Sequence, residues 1–68
     1  MENIRITFGL KIKELRKQKK YSQEQLANLV AINKSYISKI ENGKTEVSLE
    51  IINKLANALE IEIDKLFE

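Results

Sequence analysis

A chain of 68 residues with no cysteine, histidine or proline is expected to form one domain over residues 1–68, near the lower limit of what folds without a staple. Disulfides and cysteine or histidine metal ligands are excluded, so stability must come from one packed core or from a second subunit. The net charge of +2 is segregated: residues 1–40 carry nine Lys or Arg against three Glu (net +6), and residues 41–68 carry three Lys against seven acids (net −4). The basic part is expected to face a polyanion and the acidic part to face away from it. Taken alone, Lys11, Lys13, Lys17, Lys19 and Lys20 are explained as well by an ordinary solvated helix face. No apolar run suits a membrane span and no signal peptide is visible, so a soluble, cytoplasmic protein is expected.

Apolar residues recur at helical spacing, which predicts an all-α chain of five short helices. Helix 1 is predicted from about Ile4 or Thr7 to Lys19, with Phe8, Ile12 and Leu15 as its core stripe and Leu10 off it. Helix 2 starts after Ser22. Gln25, three residues on, completes a capping box, and Tyr21 and Leu26 suit a hydrophobic staple. It ends near Val30. Asn33 suits the N-cap of helix 3, which runs from Lys34 to about Asn42, with Gly43 as the left-handed residue beyond it. Ser48 caps helix 4 between a second staple pair, Val47 and Ile52. Leu49, Ile52, Leu55, Ala56 and Leu59 are expected on its buried face. Ile61, Ile63, Leu66 and Phe67 are assigned to a short fifth helix.

Residues 23–42 offer the most chemistry. Leu26, Ala27 and Val30, then Ile37 and Ile40, are the buried positions of two short helices crossing through a tight turn. Ala27 is small where the axes approach, and Ile32 is apolar inside the turn. This is the spacing of a helix-turn-helix unit, whose second helix enters a DNA major groove. With Ile37 and Ile40 inward, Lys34, Ser35, Tyr36, Ser38 and Lys39 point outward or sideways. Lys donates to guanine O6 and N7, Ser donates or accepts, and Tyr meets a thymine methyl or a phosphate. Each is also explained as a solvated polar residue, and Tyr36 equally as packing on helix 2. Amides at Ser22 and Gln23 open helix 2 toward the phosphates. Asn42, Lys44 and Thr45 follow helix 3 toward the same strand, and Glu46, which would repel phosphate, is expected to turn away.

One copy reads too few base pairs for useful affinity. Two copies about a two-fold axis place their recognition helices about 34 Å apart on a palindromic operator. The acidic, apolar end is expected to form the homodimer interface through Ile51, Ala58, Ile61, Ile63 and Phe67. Those residues alternatively close the core of one copy.

The segments Phe8-Gly-Leu-Lys-Ile-Lys-Glu-Leu-Arg16, Ile40-Glu-Asn-Gly-Lys44 and Val47-Ser-Leu49 extend the pattern beyond the central motif. With them the chain resembles the Cro/repressor-like, or XRE-type, helix-turn-helix family over essentially its whole length. The resemblance implies a compact, lambda-repressor-like DNA-binding fold of bacterial or phage origin. Among members it is most similar to the controller proteins of restriction-modification systems. It shares their Phe-Gly opening, the Tyr-Ile-Ser core of helix 3 and the ending from Ala58 to Phe67. Phage-type repressors look nearly the same. The family places base contacts at the positions of Lys34, Ser35, Ser38 and Lys39, and a phosphate contact at the side chain matching Gln23. It also pairs an Arg and a Glu at the positions of Arg16 and Glu41. A Glu ending a helix opposes the helix dipole, a cost that points to a specific partner. Two positions that are often Gly in the family are Lys20 and Ala31 here: the turn at Ala31 is expected to adjust mildly, and Lys20 bears strain if helix 1 ends in a left-handed residue there.

The function implied is a transcription regulator whose bound dimer blocks or recruits RNA polymerase. No cofactor, metal or small-molecule ligand is implied, so concentration is the expected input. An antitoxin-like protein-interaction module would use the same fold without reading DNA. An enzyme is disfavoured, because the chain lacks His and Cys and short helices leave no deep cleft. A DNA-binding fragment of a longer repressor is a further alternative. The initial Met and the position of the last helix favour a complete small protein.

Overall fold

The computed structural model describes residues 3–68. Four α-helices follow one another: α1 (Ile4–Gln18), α2 (Gln23–Leu29), α3 (Lys34–Glu41) and α4 (Leu49–Ala58), and a 3-10 helix (Ile63–Phe67) closes the described chain. There is no strand, and no helix is long and apolar enough to cross a membrane, among the described residues.

Each α-helix starts on a side chain that satisfies an orphan amide of its first turn. Asn3 accepts from the Arg5 amide, Ser22 from Gln25, Asn33 from Tyr36 and Ser48 from Ile51. At Ser22 the box is reciprocal, since the Gln25 side chain also accepts from the Ser22 amide at 2.7 Å. Each α-helix also ends the same way. The residue after the C-cap is left-handed, and the next amide reaches back five residues, as from Lys44 to the Lys39 carbonyl at 2.9 Å. Only one of these left-handed residues is a glycine, Gly43; the others are Lys20 (φ 63°), Ala31 (φ 59°) and Glu60 (φ 56°).

The core comprises Phe8 and Ile12 from α1, Leu26, Ala27 and Val30 around α2, Ile37 and Ile40 from α3, Leu55, Ala56 and Leu59 around α4, and Leu66. Fully burying one such Leu or Ile contributes about 1.5–3 kcal/mol. Gly9 lets α1 and α3 approach: a Cβ there would lie 2.2 Å from the Ile40 carbonyl oxygen and 2.8 Å from that of Glu41. Phe67 returns to α1 and stacks on Phe8, ring centroids 5.2 Å apart.

Two expectations are corrected. The fifth helix is not α-helical; five residues are too few to repay α-helix nucleation, and the tighter 3-10 winding still seats Leu66 in the core. Leu49 is not on the buried face of α4. It stands in the first turn, where no other element covers it, and is 82% exposed. The stripe of α1 also differs in part: Phe8 and Ile12 are buried, but Leu15 only partly, and Arg16 occupies the next inward position.

Candidate nucleic-acid interface

Helices α2 and α3 cross through the turn at Ala31 and Ile32. The Ile32 amide bonds the Ala27 carbonyl at 3.0 Å, and Ile32 packs against the core. With Ile37 and Ile40 buried, the opposite side of α3 faces solvent. An open groove there is lined by Lys34, Ser35, Ser38 and Lys39 of α3, by Gln23 of α2, and by Asn42 and Lys44 beyond α3. Three cations and four neutral polar side chains thus share one concave surface. The set suits phosphate and base edges, since it offers many donors and no carboxylate.

Tyr36, Thr45 and Ser22 lie outside that groove. The Tyr36 hydroxyl donates to the Glu46 carbonyl at 3.2 Å and its ring packs against the core. The partner of its hydroxyl is therefore the loop after α3 rather than α2. The Thr45 hydroxyl donates to the same carbonyl at 3.3 Å. The Ser22 amide, expected to face phosphate, is spent inside the capping box on Gln25. A reciprocal box uses the N-cap amide and so competes with a phosphate for it. Glu46 pairs with Arg5 at 2.9 Å, an exposed contact with no sequence signal, because the partners lie 41 residues apart.

Behind the groove lies a buried polar network. Arg16 is 9% exposed and Glu41 is 4% exposed. The guanidinium grips the carboxylate with two bonds, Nε to Oε2 at 2.6 Å and Nη2 to Oε1 at 3.2 Å. Nη1 donates to the Tyr21 carbonyl at 2.8 Å, across the turn that holds left-handed Lys20. The Gln23 side chain donates from Nε2 to Glu41 Oε1 at 3.1 Å. No buried side-chain N or O lacks a partner among the described residues. A satisfied buried pair of this kind is costly to break on one side, by about 3–5 kcal/mol, though not to replace whole.

Of the residues assigned to the acidic end, Ile51, Ala58 and Ile61 are partly buried against the core. Ile63 and Phe67 remain 46% and 45% exposed.

Residues 12–66 match the model of the helix-turn-helix family. The control protein C.MunI of Mycoplasma sp is 44% identical over 68 residues, covering 98% of this chain and 92% of that protein. Among solved structures, the restriction-modification controller protein C.AhdI from Aeromonas hydrophila superposes with a TM-score of 0.88 at 47% identity, covering 91% of this chain and 94% of that one. SinR, a master regulator for biofilm formation, solved in complex with DNA, gives a TM-score of 0.82 at 35% identity over 90% of this chain and 98% of that one. This chain belongs to the XRE-type helix-turn-helix family of DNA-binding transcription regulators.

Proposed function

We propose that this regulator binds a palindromic operator as a homodimer, with α3 of each copy in the major groove, and controls restriction-modification genes in a bacterial cytoplasm. One observation carries the reading: the groove gathers Lys34, Ser35, Ser38 and Lys39 beside Gln23, Asn42 and Lys44 on the solvent side of the helix-turn-helix. The α3 residues read base edges. Lys44, Asn42 and the Gln23 side chain hold the backbone and set the register. Tyr36 supports the groove rather than reads bases, and Thr45 and Ser22 support it rather than hold phosphate, since each spends a donor inside the protein.

Similarity to C.MunI and C.AhdI supports the controller role, and similarity to DNA-bound SinR supports duplex DNA as the partner. The homodimer rests on exposed Ile63 and Phe67 at the acidic end, continued by partly buried Ile51, Ala58 and Ile61. Occupancy is the regulatory input, and the bound dimer blocks or recruits RNA polymerase.

The test is selection of bound duplexes from a random pool at two salt concentrations. A palindrome with half-sites one helical turn apart is the expected product. Binding without enrichment, falling steeply with salt, would leave a nonspecific DNA binder. No binding at either salt would replace the regulator reading with that of a protein-interaction module.

A further inference from the structure

The buried network reaches the groove through a single side chain. Gln23 lines the groove, yet its amide nitrogen also donates to Glu41 Oε1 at 3.1 Å. Glu41 is in turn held by two bonds from Arg16, whose third nitrogen fixes the Tyr21 carbonyl two residues before Gln23. The Arg16–Glu41 pair therefore grips both the main chain entering α2 and the first side chain of α2.

We propose that Glu41 is a positioning residue for DNA: its carboxylate holds the Gln23 carboxamide at the groove edge, so that the contact from α2 to the DNA backbone is set before DNA arrives. Three features support the assignment. Gln23 has two amide hydrogens, and the bond to Glu41 uses one, leaving the other for a phosphate oxygen. A glutamine side chain free to rotate loses rotamer entropy on contact, and one already held loses less. Arg16 neutralises the carboxylate, so a phosphate approaching Gln23 does not meet an unbalanced buried charge. The inference deepens the DNA-binding reading and rests on it.

A double-mutant cycle tests it. The probe is a fluorescent duplex carrying the palindrome recovered from the selection, or a mixed-sequence duplex at low salt if none is recovered. Gln23→Ala should lower affinity about tenfold, roughly the worth of one hydrogen bond to a charged group. Glu41→Ala, which removes the acceptor, should lower it similarly, and in the Gln23→Ala background it should add almost nothing, because both changes remove one contact. Glu41→Ala also weakens the fold, so the paired replacement Arg16→Met with Glu41→Leu is measured alongside it; exchanging both partners for apolar residues spares the core. This folded variant should lose the same tenfold. In NMR spectra its Gln23 side-chain amide should shift toward the random-coil position.

Additive losses would show that Glu41 acts through the fold alone and would overturn the proposal. So would wild-type affinity in the paired replacement. If Gln23→Ala binds like the parent, the positioning proposal and the Gln23 contact both fall, while an enriched palindrome would leave the operator reading standing.

Discussion

Lys39 lies in the last turn of α3, where a cation suits the helix dipole, and it lines the groove beside Ser35 and Ser38. If its ammonium meets guanine O6 and N7, Lys39→Ala costs about 1–3 kcal/mol and relaxes specificity at one base pair only. Binding to operators substituted one base pair at a time should show that pattern. A uniform loss on every sequence, with a shallower salt dependence, would assign Lys39 to a phosphate instead. A second single-residue effect concerns the turn between α2 and α3. Ala31 holds φ at 59° with its Cβ in the crowded left-handed region. Glycine removes that penalty but adds freedom to the unfolded chain, so Ala31→Gly is expected to stabilise by roughly 0.5 kcal/mol. That is about 2–4 °C in Tm for a chain this small. Calorimetry should record the rise, and operator affinity should stay unchanged because Ala31 is not in the groove. A fall in Tm would show that the turn does not store this strain.

Among the elements, the α1–α3 contact fixes the angle at which α3 stands, and Gly9 lies within it. Gly9→Ala would drive a methyl group into two main-chain carbonyls at 2.2 and 2.8 Å, and backbone cannot rotate away as a side chain would. Destabilisation of about 3 kcal/mol is expected, seen as a lower urea midpoint with an unchanged slope. An unaffected midpoint would mean that α1 slides on α3 at no cost. Which elements were legible in the sequence follows from the range of their causes. The caps at Ser22, Asn33 and Ser48 are bonds between residues three apart, so local spacing reveals them. The outward set Lys34, Ser35, Ser38 and Lys39 follows from Ile37 and Ile40 turning into the core. Gly9 has no such signal, because the carbonyls it meets lie more than thirty residues away. The same distance hides the Arg5–Glu46 pair and the return of Phe67 onto Phe8. Leu49 keeps helical spacing with Ile52 yet has no neighbouring element to cover it. Left-handed Glu60 carries no sequence signal, because nothing in a glutamate marks such a turn.

For the whole molecule, size and charge argue in the same direction. Its longest dimension is 33 Å, close to the roughly 34 Å between successive major-groove faces, so one copy can seat one recognition helix but not two. The acidic, partly apolar end, residues 49–68, carries two Lys against five acids (net −3) and would be repelled by phosphate, which leaves it available to a second copy. Ile63 is 46% exposed on the 3-10 helix, whereas Leu66 of the same helix is buried, so a charge at Ile63 should disturb association before it disturbs the fold. Ile63→Asp is therefore expected to sediment as a monomer with its helical circular dichroism intact. It should lose about a hundredfold or more in operator affinity, the scale of what linking two weak contacts confers. A half-site duplex should bind the variant and the parent nearly alike, since each copy keeps its own groove. A dimer that survives the substitution would move the interface elsewhere. Exposed Leu49 and Ile4 would then be the next apolar residues to charge, at 82% and 64% exposure.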